Sequence, residues 1–75
     1  MNGKCYFFFP GYHTVMTASE LLTKNGVSNR VVRAPISYRN SCNFAVLTDI
    51  ADVKYSSFIF SRENMFVEKR IMKPV

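Results

Sequence analysis

Three side chains in this 75-residue sequence have the softness or titration range for group-transfer chemistry: Cys5, His13 and Cys42. None of them shares a metal-ligand spacing with another; there is no C-x-x-C and no closely spaced histidine pair, so no metal or other cofactor is expected. One histidine and five scattered carboxylates define no acid/base pair for hydrolysis. The three glycines, Gly3, Gly11 and Gly26, form no phosphate-cradling loop.

The two thiols differ in their surroundings. Cys5 stands inside the apolar run Cys5–Phe9, where a free cysteine acts as a small core hydrophobe. Cys42 follows the polar stretch Tyr38-Arg39-Asn40-Ser41 and precedes Asn43. The thiolate is the reactive form of cysteine, and nearby cations or hydrogen-bond donors favour it. Arg39 is three residues away, Ser37 and Ser41 carry hydroxyls, and His13 is either an ordinary histidine at the helix start or a base, if the loop reaches it. Cys42 could equally be the first buried residue of the strand that follows. The residues by themselves leave both readings open.

These side chains need elements to hold them. Both alternating sets of Cys5–Phe9 are apolar, which reads as a strand covered on both faces. Pro10-Gly11 ends it. Tyr12 to Asn25 has helical periodicity, with Val15, Ala18, Leu21 and Leu22 on one stripe, and Asn25-Gly26 forms a helix stop. Val31 and Val32 mark a second strand, stopped at Ala34-Pro35. Residues 36–43 lack periodicity and read as a loop or one irregular turn. Phe44–Thr48 is a third strand.

Thr48 or Asp49 then caps a second helix reaching about Ser61, with Ile50, Val53, Ser57 and Phe60 facing inward. Residues 55–60 are also good strand formers, so that window could instead extend the sheet. Arg62-Glu63-Asn64 is a turn, and Met65–Met72 is a last strand at a sheet edge. The order β-α-β-β-α-β predicts one α+β domain over residues 1–75. Its expected form is ferredoxin-like, a four-stranded antiparallel sheet with both helices on one face. If Tyr6 and Phe8, or their neighbours Phe7 and Phe9, point to the other face, that face is apolar, and a homodimer would cover it.

Composition narrows the function. The chain is 48% hydrophobic with seven Phe and four Tyr, which argues against disorder. Two cysteines allow at most one disulfide, and no apolar run is long enough for a secretory leader or a membrane span. Free thiols in a reducing cytoplasm are the expectation. Ten Lys/Arg against five Asp/Glu give a net charge of +5 and a pI near 9.6. The basic residues are scattered singly apart from Lys69-Arg70, which reads as a solvated surface before it reads as a nucleic-acid footprint.

From Phe9 to Asp49 the sequence resembles a family of small bacterial domains of unknown function, the selenium/sulfur carrier-like proteins. Those domains carry an aromatic strand, a helix of the form H-x-A-x-x-A-E-x-x-L and a Pro-Arg-x-Ile-Ser-x-Ser-Cys-Gly segment. His13, Ala18, Ser19-Glu20 and Leu21-Leu22 match the helix, and Pro35, Ser41 and Cys42 match the second segment at the family's separation. Ile36 replaces the family's arginine and Asn43 its glycine. Asparagine tolerates the left-handed conformation better than most residues, and Arg39 could replace the missing cation.

The resemblance implies that Cys42 accepts sulfur or selenium as a persulfide or selenopersulfide and passes it between a protein donor and acceptor. Ser37, Arg39, Ser41, Asn43 and His13 would surround it. A lone thiolate suits this role because no resolving cysteine traps the cargo as a disulfide. Such a chain is a stoichiometric relay or binding module rather than an enzyme. A protein-interaction or regulatory dimer without chemistry stands second. RNA binding on sheet aromatics stands third, because the basic-aromatic strand motif of RNA-recognition domains is missing.

Overall fold

The computed structural model describes residues 3–39 and 43–74. Strand β1 (Gly3–Phe8) leads into helix α1 (Tyr12–Lys24) and strand β2 (Asn29–Arg33). A 3₁₀ turn at Ile36–Tyr38 precedes β3 (Phe44–Asp49), and a second at Ile50–Asp52 leads into helix α2 (Val53–Arg62). Strand β4 (Lys69–Pro74) closes a four-stranded antiparallel sheet of order β2-β3-β1-β4. This is the expected ferredoxin-like α+β arrangement.

β1 is apolar on both faces because it is a central strand covered on both. Cys5, Phe7 and Phe9 pack with Val15, Ala18 and Leu22 of α1 and Val53, Ile59 and Phe60 of α2. Phe60 is the keystone: its ring meets Phe7 and Phe9 edge-on, with centroids 5.2 and 5.1 Å away. The alternate residues Tyr6 and Phe8 point to the face without helices.

Both helices end by the same device. Gly26 takes φ +79°, and the N–H groups of Gly26 and Val27 donate to the carbonyls of Thr23 and Leu22. At the end of α2, Asn64 takes φ +58°, with Asn64 and Met65 donating to Ser61 and Phe60. These are Schellman motifs, the second with asparagine in glycine's usual place. The Asn29 carboxamide ties α1 to β2. It accepts from the Ser19 hydroxyl at 2.6 Å and donates to Thr23 Oγ1 and the Val27 carbonyl.

The structure corrects three local expectations. Neither Thr48 nor Asp49 caps the second helix through its side chain. The Thr48 hydroxyl donates to the Asp49 carbonyl, and the Asp49 carboxylate pairs with Lys4 at 2.6 Å. The 3₁₀ turn at Ile50–Asp52 comes first, and the phase of α2 shifts so that Ser56, not Ser57, is buried. The window 55–60 is helical because its apolar residues Ile59 and Phe60 share a face with Val53.

The last strand begins at Lys69 rather than Met65. The turn at Asn64 consumes Met65, and Met65 and Val67 pack on the helical side without joining the sheet ladder. Pairing with β1 begins at Phe8, whose carbonyl accepts from Glu68 and whose register partner is Lys69.

The Ser56 hydroxyl is fully buried and has no hydrogen-bond partner among the described residues. An orphaned buried donor costs about 1–3 kcal/mol. Ser56→Ala is therefore expected to stabilise the domain by about 1 kcal/mol, with alanine's better helix propensity adding to the gain. An unchanged or lowered urea midpoint would contradict this.

Candidate functional site

The loop between β2 and β3 is clamped at its base. The Ala34 N–H donates to the Asn43 carbonyl at 2.9 Å, continuing the β2–β3 ladder one step past the strand ends. Ser41 and Cys42 lie outside the described residues, as does Asn40. Asn43 is the residue that joins Cys42 to the sheet, and it is exposed.

The rest of the loop crosses the sheet face that carries no helix. Pro35 starts the 3₁₀ turn, and Tyr38 lays its ring edge-on against Tyr6 of β1, centroids 5.6 Å apart. The Lys73 ammonium of β4 sits 5.6 Å from the Tyr38 centroid, on the ring face. Arg39 turns back on its own stem, its Nε donating to the Ala34 carbonyl at 2.9 Å. Beneath these residues Phe8, Ala34 and Ala45 form a second buried cluster, with Lys69 over the Phe8 ring at 5.3 Å.

The face expected to be open at Tyr6 and Phe8 is covered in part within the chain: Phe8 is fully buried, while Tyr6, Leu47 and Ile71 are half-buried.

The predicted site residues fall into two groups. Ser37 and Arg39 are on the described arm of the loop, Ser37 exposed and Arg39 half-buried. His13 is on α1, exposed, and its imidazole makes no hydrogen bond or ion pair among the described residues. Its element nevertheless reaches the loop's other end: Tyr12, at the start of α1, packs edge-on against Phe44 with centroids 5.0 Å apart. The structure therefore brings the amino end of α1 to the start of β3, one residue beyond Asn43. Tyr6, Tyr38 and Lys73, which fasten the loop, are not among the predicted site residues. No local signal marks them, because the Tyr38–Tyr6 contact joins residues far apart in sequence.

Cys5 is completely inaccessible, and its Sγ makes only a weak 3.9 Å contact with the Tyr6 carbonyl. Burial pushes its thiol up to about 11, against a smaller opposing pull from Arg70. A thiol in that state is inert at neutral pH. The chain's other cysteine is Cys42. Elsewhere, a cleft of about 430 Å³ opens between α2 and the approach to β4, over Phe7 and Phe60 on the helical side. No group of three or more metal-ligating side chains occurs among the described residues.

A model of the family described as "Putative Se/S carrier protein-like" matches residues 4–70. The chain belongs to that family. The match runs past Asp49, where the motif resemblance ends, and takes in α2 and the first residues of β4. No curated protein and no solved structure matches the chain. Among the motif positions of the carrier-like family, His13, Ala18 and Glu20 lie on α1, with Ala18 buried in the core. Pro35 opens the 3₁₀ turn that carries the loop across the sheet. No helix among the described residues is long and apolar enough to cross a membrane.

Proposed function

We propose that this protein is a sulfur or selenium carrier whose working group is the Cys42 thiolate. The observation that supports it most is the state of the other thiol. Cys5 is buried among aromatic rings with its pKa raised, so exchange chemistry in a two-cysteine carrier falls to Cys42.

The transfer conserves electrons. The Cys42 thiolate attacks the outer, sulfane sulfur of a donor persulfide; the new S–S bond forms as the donor's S–S bond breaks, and the donor leaves as a thiolate. A second exchange with an acceptor thiolate reverses the roles. Selenium in the outer position follows the same course. Ser37, Ser41 and Asn43 would offer hydrogen bonds to the outer atom, and His13 would take the thiol proton. Arg39, held by the Ala34 carbonyl, would contribute charge at the loop base. The clamp at Ala34–Asn43 and the Tyr38–Tyr6 contact fasten the described parts of the loop to the sheet.

Incubation with a cysteine desulfurase and cysteine, followed by alkylation and peptide mass mapping, tests this. The expected result is one added sulfur on the Cys42 peptide and none on the Cys5 peptide, with complete loss in Cys42→Ser. An unmodified Cys42 while the desulfurase turns over would refute the reading.

A further inference from the structure

Charge is divided unevenly between the two layers of this molecule. The helical layer carries Lys24, Lys54 and Arg62 against Glu20, Asp52 and Glu63, and is neutral. The whole excess of +5 therefore resides on the sheet and its connections.

Strand register decides where it points. Lys4, Tyr6 and Phe8 alternate with the core-facing Cys5 and Phe7, so their cross-strand partners share the helix-free face. That face bears Lys4, Arg30, Lys69 and Lys73, with Asp49 as its carboxylate and Arg39 added by the loop. Lys4 and Lys73 stand directly opposite each other across β1 and β4. Like charges so placed repel, and each lysine is engaged on its own side: Lys4 pairs with Asp49, and Lys73 faces the Tyr38 ring.

We infer that this basic face is the docking surface for an acidic segment of the protein that delivers or receives the cargo. The inference rests on the carrier reading of Cys42, because the loop's described arm lies on this same face. Charge complementarity names the partner. Lysine and arginine heads around a covered apolar centre attract carboxylates and steer encounter.

The rings argue against a single-stranded nucleic acid as the occupant. Base stacking needs open aromatic faces. Here Phe8 is buried beneath Lys69, and Tyr6 and Tyr38 are locked edge-to-face with Lys73 on top.

The test uses the full chain and a fluorescein-labelled oligo-glutamate peptide, read by anisotropy at low ionic strength. The open-face double variant Arg30→Gln/Lys69→Gln is expected to weaken binding about tenfold, and the helical-layer pair Lys24→Gln/Lys54→Gln by less than about twofold. Physiological salt should weaken the wild type strongly. Equal losses in the two double variants, absence of peptide binding, or tighter binding of an oligothymidylate of equal charge would each overturn the proposal. Mass analysis of Cys42 after treatment with inorganic polysulfide separates the two claims. Loading without peptide binding removes the docking surface and keeps the carrier. Peptide binding confined to the open face, without loading, upholds the surface and removes the carrier.

Discussion

Phe60→Ala is expected to leave the domain largely unfolded at room temperature. The ring is 1% exposed and makes edge contacts with Phe7 and Phe9, so its removal opens a cavity where both helices meet the central strand. Truncating a buried phenylalanine costs about 3–5 kcal/mol, and each aromatic pair is worth about 0.5–1.5 kcal/mol beyond its area. A core of this size rarely supplies more than about 3–5 kcal/mol in total. Loss of near-UV circular dichroism and of amide dispersion would register the outcome. Phe60→Leu, which keeps most of the volume, should remain folded with a lowered urea midpoint. A cooperative Phe60→Ala transition within about 1 kcal/mol of wild type would show that the core is spread more evenly than these contacts indicate.

Cys5 gives the second large effect, in alkali. Its thiol titrates near 11 in the folded protein against an ordinary value of 9.0, because ionisation would place a charge in the apolar core. Between those values the unfolded chain releases the proton while the folded chain keeps it, so the unfolded state binds fewer protons. Stability therefore falls as pH rises through this window. Two pKa units correspond to about 2–3 kcal/mol, fully present below about pH 9 and lost above about pH 11. The measurement is a difference against a variant that lacks the thiol. The urea midpoint of wild type should drop more steeply than that of Cys5→Ala between about pH 8.5 and pH 10.5. Parallel slopes would mean that the thiol ionises as easily folded as unfolded.

Much of the architecture was legible because local signals agreed with one another. The helical stripe of α1 ends at Asn25-Gly26, and Gly26 occupies the left-handed position that a helix stop requires. The doubly apolar run from Cys5 reads as a strand covered on both faces, and Cys5 and Phe7 on one side and Phe8 on the other are fully buried. Misreadings arose where a neighbour overrode the local pattern. Met65 and Val67 alternate as strand residues do, yet they follow a Schellman turn and pack without pairing. Ser56 and Ser57 are indistinguishable by type, and only the 3₁₀ turn before α2 determines which faces inward.

The site was legible in a narrower sense. Polarity and spacing drew attention to Cys42 and its neighbours, and the family match spans them. The placing of the loop was not legible, since it depends on Tyr38 meeting Tyr6, a contact between residues far apart in sequence. Nothing local distinguishes a tyrosine that folds back on the sheet from one that faces water.

The order β2-β3-β1-β4 also constrains how the chain can acquire its structure during synthesis. β1 emerges from the ribosome first, but both of its hydrogen-bonding partners, β3 and β4, lie far downstream. Until β4 follows, one edge of the most apolar strand has no ladder to join, and the pairing is among the most non-local the chain contains. Cys5, Phe7 and Phe8 then rely on hydrophobic collapse or a chaperone for cover. The cover on the opposite face is completed at the same stage, because Lys73, whose ammonium faces the Tyr38 ring, belongs to that same last strand.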